Sequence, residues 1–208
     1  LAVVRPHMNG VGGDAFGIFY DGATGEVTAL NGSGRSGALA TPAFFRSQGL
    51  DAVPQTGGRS VSVPGAVAAW VDAHERFGSK PFADLLAPAI HFASEGFPVS
   101  TRLAMDFEQQ GGALNEAGRA LYLPGGGAPP VGSLLKNKAL GTTIARIAEG
   151  GKDAFYRSPI AHKLAAFIQG EGGHLRAPDF AAHESTWVTP LRNDYLGYTF
   201  VVMPPNTQ

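Results

Sequence analysis

Two kinds of periodicity alternate along the chain. Near the amino terminus, apolar runs are separated by glycine turns: Phe16 to Tyr20, the turn Asp21-Gly22 through Gly25, then Glu26 to Leu30, a pattern that predicts a β-hairpin. Ser60 to Val63 predicts another extended run, ended by Pro64. Thr41-Pro42 supplies an N-cap followed by proline at the first helical position, so a short helix is expected to Gln48, closed by Gly49. The middle changes to helical spacing. Ala66 to Phe77 ends at Gly78, and Phe82 to Ser94 carries Leu85, Leu86, Ala89, Ile90 and Ala93 at helical intervals before Gly96. Ser100-Thr101 caps a helix to Gln110, and further helices are expected over Lys138 to Ala148, Pro159 to Gln169 and Pro178 to His183. Thr186 to Leu191 and Tyr198 to Met203 return to strand around the turn Asn193 to Gly197, with Pro204-Pro205 ending the second. Strands at both ends with helices between predict an α+β layered fold whose sheet is assembled from distant segments.

Composition narrows the class. The chain has 208 residues, 44% hydrophobic and 16% charged, enough apolar material for a folded core rather than a disordered segment. Sixteen basic residues balance seventeen acidic ones, and no dense Lys/Arg stripe is present, so neither a nucleic-acid surface nor polybasic membrane docking has electrostatic support. Twenty-nine glycines and fifteen prolines punctuate the periodic segments instead of forming a low-complexity tract. Gly125-Gly126-Gly127-Ala128-Pro129-Pro130 reads as an exposed loop within a single domain spanning residues 1–208. The absence of cysteine excludes disulfides, a thiol nucleophile and thiolate metal sites. No apolar stretch approaches the roughly 20 residues of a spanning helix. Leu1 lies inside an apolar run with no initiator Met, and the chain stops at Gln208 just after a proline pair, so a piece of a longer protein is expected. Its compartment, periplasmic or secreted as against cytoplasmic, stays open, because any signal region would lie upstream.

Few local patterns carry chemistry. Gly10, Gly12 and Ala15 fit G-x-G-x-x-A, but a dinucleotide site needs that motif to open a helix, and here a strand-like run follows; close backbone packing accounts for these glycines. His7, His74, His91, His162, His174 and His183 are scattered without the spacing that puts two ligands on one helical face, so no metal site is expected. His91, beside Ile90, reads as a satisfied, partly buried side chain. Gly32-Ser33-Gly34 lacks the Gly-x-Ser-x-Gly spacing of a nucleophile elbow. Arg35, next to that turn, is either a bidentate clamp for a carboxylate or a solvated structural side chain.

Five segments in order resemble the large subunit of the γ-glutamyltranspeptidase (glutathione hydrolase) family. They are Met8-Asn9-Gly10-Val11-Gly12-Gly13-Asp14-Ala15-Phe16; Ser62-Val63-Pro64-Gly65-Ala66-Val67; Leu86-Ala87-Pro88-Ala89-Ile90 with Ala93-Ser94-Glu95-Gly96-Phe97; Asp153-Ala154-Phe155-Tyr156 through Ile160-Ala161; and Tyr195-Leu196-Gly197-Tyr198 leading to Met203-Pro204-Pro205. Gly173-His174-Leu175 and Pro178-Asp179-Phe180 fall between the last two.

The resemblance implies an αββα N-terminal-nucleophile hydrolase sandwich made from a self-cleaving precursor. The nucleophile is the new amino-terminal Thr of the small subunit, outside this chain; Thr207 is not that residue. The implied substrates are γ-glutamyl amides such as glutathione, handled without metal or organic cofactor, and the implied partner is the small subunit of the same precursor. The piece is then an incomplete large subunit ending before that subunit's last helices, unable to turn over alone and prone to aggregate when isolated. The family's large subunit chiefly contributes one Arg for the substrate α-carboxylate. Gapless comparison from Thr28-Ala29-Leu30 to Ala40-Thr41 puts that Arg at Ser33, whereas this sequence has its Arg two residues on, at Arg35. In an extended segment a two-residue offset keeps the same face. Should Arg35 point elsewhere, a standard γ-glutamyl substrate loses its charge-assisted partner. Asn206-Thr207-Gln208 also departs from the family's usual Ser-Ser-Gly-Gly, marking a divergent branch. Two alternatives follow: a glutaryl or cephalosporin-type acylase, whose substrate keeps the acyl chain but lacks all or part of the α-amino acid head, and a degenerate, non-catalytic scaffold.

Overall fold

The computed structural model describes residues 1–207; Gln208, at which the sequence reading ended the chain, lies outside the described residues. In chain order the elements are β1 (Ala15–Tyr20), β2 (Val27–Gly32), α1 (Pro42–Ser47), α2 (Ala66–Phe77), α3 (Phe82–Glu95), β3 (Phe97–Pro98), α4 (Thr101–Gln110), α5 (Glu116–Tyr122), β4 (Leu134–Leu135), α6 (Lys138–Tyr156), α7 (Pro159–Gly170), α8 (Ala177–Ala181), β5 (Thr186–Val188), β6 (Leu191–Tyr195) and β7 (Tyr198–Val202). They group into two compact units. One comprises Leu1–Gly10 with Lys80–Glu149, the other Val11–Ser79 with the chain from Gly150 onward. Helix α6 is interrupted at Gly151, whose φ of 57° is a conformation that favours glycine.

The first unit is mainly helical. Ser100 Oγ accepts from the Leu103 N–H and starts α4, which buries Leu103 and Phe107. Phe107 stacks on Tyr122 of α5 with ring centroids 5.5 Å apart. Asp106, on the same helix and only 2% exposed, receives Arg102 Nε at 2.8 Å, His7 Nε2 at 2.9 Å and Arg5 Nη2 at 3.4 Å. Burial pushes its carboxyl up, but the hydrogen bond and charge of Arg102, with the charges of His7 and Arg5, outweigh that and hold it below the usual carboxylate value. The network ties the amino-terminal segment to α4. Helix α5, not expected from the sequence, is short and contains Gly118, which weakens its local signal; Asn115 caps it through the Gly118 N–H.

The second unit holds a three-stranded antiparallel sheet in the order β1-β2-β5. The β1–β2 hairpin follows the sequence expectation, its turn closed by Gly25 at φ 74° and by Asp21, whose carboxylate accepts from the Ala23 N–H. On one face Phe19 stacks on Phe77 of α2 at 4.7 Å and meets Trp187 of β5 at 5.6 Å, while Arg76 lies over the Trp187 ring. The alternate positions Phe16, Ile18 and Tyr20 remain exposed. Thr41 Oγ1 caps α1 through the Phe44 N–H, as expected from Thr41-Pro42.

Several boundaries differ from expectation. Ser60 to Val63 forms no strand; the Val63 N–H instead donates to the Arg35 carbonyl at 2.9 Å, and Pro64 has no N–H with which to continue a ladder. The run expected over Thr186 to Leu191 is divided by Thr189-Pro190 into β5 and β6. The turn expected over Asn193 to Gly197 narrows to Leu196 and Gly197, both at positive φ, which matches the twist of the tight β6–β7 hairpin.

Helix α2 begins at Gly65, which has no side chain with which to cap it. The cap comes from 88 residues away: the Tyr156 hydroxyl accepts from the Ala68 N–H at 3.0 Å and donates to the Pro64 carbonyl at 2.7 Å. Burial, the largest cause, pushes the phenol pKa far up, so the hydroxyl stays protonated and available as that donor. Nearby, Asp72 of α2 receives Lys152 Nζ at 2.5 Å and the Ser185 hydroxyl. Tyr156→Phe removes both bonds of the remote cap, and an unfolding free energy lowered by about 1–3 kcal/mol is expected in urea titrations of the full-length protein.

Candidate functional site

After β2 the chain passes Ser62-Val63 so closely that side chains are excluded. A Cβ on Gly34 would lie 1.8 Å from the Val63 carbonyl oxygen, and one on Gly65 would lie 2.1 Å from the Gly32 carbonyl oxygen. Backbone contact at this distance requires glycine. The segment is pinned further by side chains. Asp14 Oδ1 accepts from the Gly34 N–H at 2.8 Å, and its Oδ2 takes the longer bond, 3.4 Å, from the Ser33 hydroxyl. Asn31 Oδ1 accepts from the Ser33 N–H at 2.9 Å, and Asn31 Nδ2 donates to Asn206 Oδ1 at 2.9 Å. Asp179 secures the following turn by accepting from the N–H groups of Ala38 and Arg176.

These bonds use the donors a backbone anion site would need. The N–H groups of Ser33 and Gly34 are both engaged, and so is the Ser33 hydroxyl. Arg35 differs: its carbonyl is held by Val63, yet its exposed guanidinium makes no hydrogen bond or ion pair among the described residues. Of the two residues singled out in the sequence, Ser33 is thus occupied within the turn and Arg35 presents a free planar fork of N–H donors.

Within electrostatic reach of Arg35 is His183, 5% exposed, with neither ring nitrogen hydrogen-bonded among the described residues. Its ring packs on Tyr156 with centroids 5.2 Å apart. Burial lowers its pKa most, the positive charge of Arg35 lowers it further, and Asp14, Asp72 and Glu184 oppose both. His183 is therefore a neutral imidazole in the same electrostatic neighbourhood as Arg35 and Asp14. In the sequence His183 is one of six scattered histidines, and nothing local marks a residue whose surroundings come from other segments.

The remaining candidates fall away from this place. His91 is exposed on α3 instead of partly buried, because the helical face that carries it is not covered within its unit. Gly12 and Ala15 lead into strand β1, not into a helix whose free amides hold a pyrophosphate. Among the described residues no three His, Cys, Asp or Glu side chains gather as a metal-ligand group, and no helix is long and apolar enough to cross a membrane. A cavity of about 630 Å³ lies in the first unit between α4 and the Gly125–Pro130 loop; its one charged lining side chain is Glu108, and no polar cluster converges on it.

The mixed α/β architecture with its helical middle matches the αββα N-terminal-nucleophile hydrolase sandwich of solved γ-glutamyltranspeptidase and acylase structures. The Gamma-glutamyltranspeptidase family pattern matches residues 1–208, and the chain belongs to the γ-glutamyltranspeptidase (glutathione hydrolase) family, as a large-subunit-like portion. It is 36% identical to the glutathione hydrolase-like YwrD proenzyme of Bacillus subtilis (strain 168), over 100% of this chain and 40% of that protein. It superimposes on Helicobacter pylori γ-glutamyltranspeptidase with a TM-score of 0.91 at 26% identity, covering 100% of this chain and 61% of that one. It also superimposes on the cephalosporin acylase of Bacillus halodurans with a TM-score of 0.90 at 33% identity, covering 99% of this chain and 39% of that one. The chain thus spans about two-fifths of the curated relative's length.

The depressed pKa of His183 has a definite sign. Its unfolded counterpart takes up a proton near pH 6.5, so stability is full above that value and falls as pH drops toward the lower folded pKa. His183→Phe removes this dependence, and the expected result is a shallower loss of the urea midpoint between pH 7.5 and 5.5 than in the unaltered protein. A residual slope is expected from buried His174, whose pKa burial also lowers.

Proposed function

We propose that the longer protein to which this chain belongs is a self-processing amidohydrolase or acyltransferase acting on γ-glutamyl amides such as glutathione, with Arg35 as the ligand for the substrate α-carboxylate. The observation that carries the reading is the exposed, unpartnered guanidinium on a turn whose other donors are occupied. A bidentate Arg–carboxylate pair fixes both the position and the orientation of the acyl chain.

The chemistry proposed is acyl transfer through an amino-terminal Thr on the partner small subunit. Its hydroxyl oxygen attacks the γ-carbonyl carbon while its own α-amine takes the hydroxyl proton. The tetrahedral oxyanion collapses, the C–N bond breaks, and the leaving amine takes up that proton. Water or an acceptor amine then releases the acyl group. This chain's part is to hold the substrate: Arg35 orients the carboxylate, with Ser33 the lesser candidate because its hydroxyl is engaged by Asp14. The exposed apolar positions Phe16, Ile18 and Tyr20, and the β6–β7 hairpin with exposed Tyr195, Leu196, Tyr198 and Phe200, favour a partner chain covering this unit's sheets.

A second reading, a glutaryl or cephalosporin-type acylase, is favoured by the 33% identity to a cephalosporin acylase, above the 26% to the Helicobacter pylori transpeptidase. A γ-glutamyl anilide and a glutaryl anilide offered to the full-length, self-processed protein separate the two through kcat/KM. Arg35→Ala is expected to raise KM for the γ-glutamyl anilide about 10- to 100-fold, the equivalent of a lost charge-assisted hydrogen bond of about 1.5–3 kcal/mol, with Arg35→Lys between the two. An unchanged KM removes Arg35 from the site.

A further inference from the structure

We infer that Asn206, acting through the Asn31 side chain, is a positioning residue for Arg35 and tunes recognition of the substrate's carboxylate. The inference rests on the reading of Arg35 as carboxylate ligand.

Asn31 is mounted rigidly. It lies in the central strand of the sheet, opposite Phe16 on one side and Thr186 on the other, so its backbone is held by both neighbours. The side-chain amide retains freedom, and its two ends do different work: Oδ1 accepts from the Ser33 N–H, and Nδ2 donates to Asn206 Oδ1. Only one orientation serves both. Rotating the amide by half a turn would set its NH2 against the Ser33 N–H, donor against donor, and its carbonyl oxygen against that of Asn206, acceptor against acceptor. An acceptor at residue 206 therefore selects the orientation in which Asn31 can hold the turn two residues before Arg35.

Asn206 is itself presented in a preset way. It follows Pro204-Pro205, whose fixed φ angles stiffen the exit from β7, and it sits at φ 84°, in the left-handed region that Asn, Asp and Gly tolerate best. The link spans 175 residues of sequence and joins two exposed segments, so it adds little to the core. The Ser33-Gly34-Arg35 turn has other ties: the Gly34 N–H and, at longer range, the Ser33 hydroxyl to the Asp14 carboxylate, which are charge-assisted, and the Val63 N–H to the Arg35 carbonyl. Losing the Asn206 bond consequently loosens the turn without releasing it. The guanidinium has no partner among the described residues to restrain it, so that looseness passes to it and it meets a carboxylate less well preorganised.

The substitutions that isolate the effect follow from the backbone angle. Asn206→Gly keeps a residue at ease at positive φ but removes the acceptor, whereas Asn206→Asp keeps both the conformation and an acceptor oxygen. The test uses the full-length protein, unaltered and with Asn206→Gly, Asn206→Asp, Arg35→Ala, and Asn206→Gly combined with Arg35→Ala. Each is assayed with a γ-glutamyl anilide and with a butyryl anilide, which keeps the acyl chain as far as the glutamyl Cα and lacks the amino and carboxylate groups. Dissociation constants for L-glutamate and glutarate, measured by calorimetry, provide a readout independent of turnover.

Asn206→Gly is expected to raise KM for the γ-glutamyl anilide, and the dissociation constant of the anionic probe, about three- to tenfold. Its kcat and its KM for the butyryl anilide should stay as they were. Asn206→Asp should restore the anionic KM, and Asn206→Gly should add nothing in the Arg35→Ala background, the signature of two residues acting through one contact. An unchanged anionic KM and dissociation constant in Asn206→Gly overturns the inference. Equal losses for the charged and uncharged substrates, or a loss that persists without Arg35, also overturn it by showing a general structural role. If Arg35→Ala itself changes nothing, or no anionic probe binds, the carboxylate reading of Arg35 fails first and the inference falls with it.

Discussion

The candidate site depends on two stretches of backbone lying in direct contact. Gly32 and Gly34 leave the central strand against Val63 and Gly65, and a single methyl group on Gly34 would fall inside the Val63 carbonyl. Backbones can meet this closely only where no Cβ intervenes, so the path of the turn carrying Arg35 is dictated by the Val63–Gly65 segment. That segment is fixed in turn by the Tyr156 hydroxyl, which bridges the Pro64 carbonyl and the first turn of α2. A strand end, a helix start and a residue from the far end of α6 are thereby locked into one arrangement.

Around this frame, charge is distributed unevenly. Most ionised groups near the turn are satisfied locally: Asp14 by the turn's own donors, Asp72 by Lys152 and Ser185, Asp179 by two backbone N–H groups. Arg35 alone among these side chains is left without a hydrogen-bonded partner among the described residues, and its charge helps burial to lower the pKa of His183. Desolvation keeps His183 from adding a second positive charge to the neighbourhood of Arg35. The first unit is built differently: its main charge cluster, around Asp106, closes on itself and draws the amino-terminal segment onto α4.

Elements with strong local signals were legible in the sequence. Thr41-Pro42, Ser100-Thr101 and Gly78 mark helix ends through capping and backbone freedom that need no tertiary context, and α1, α2 and α4 start or stop where those residues stand. The β1–β2 hairpin was legible for the same reason. The run Ser60 to Val63, expected to be extended, joins no ladder, because the Val63 N–H is spent on the Arg35 carbonyl. The departures from family pattern at Gly34-Arg35 and at Asn206 were visible separately, but nothing in the sequence tells that Asn31 joins them.

By itself, the sequence determined the family, the α+β class and the positions of most elements, and it drew attention to Ser33 and Arg35 as candidates. Capping, glycine placement and short-range periodicity are properties of neighbouring residues, and they survive in a linear reading. Tertiary structure alone decided that the Ser33 donors are consumed, that the Arg35 guanidinium has no partner among the described residues, that Tyr156 caps α2 and that His183 packs on the Tyr156 ring. Each of these depends on groups brought together from distant segments, and hydrogen bonding and desolvation are settled by distance in space, to which separation along the chain is no guide.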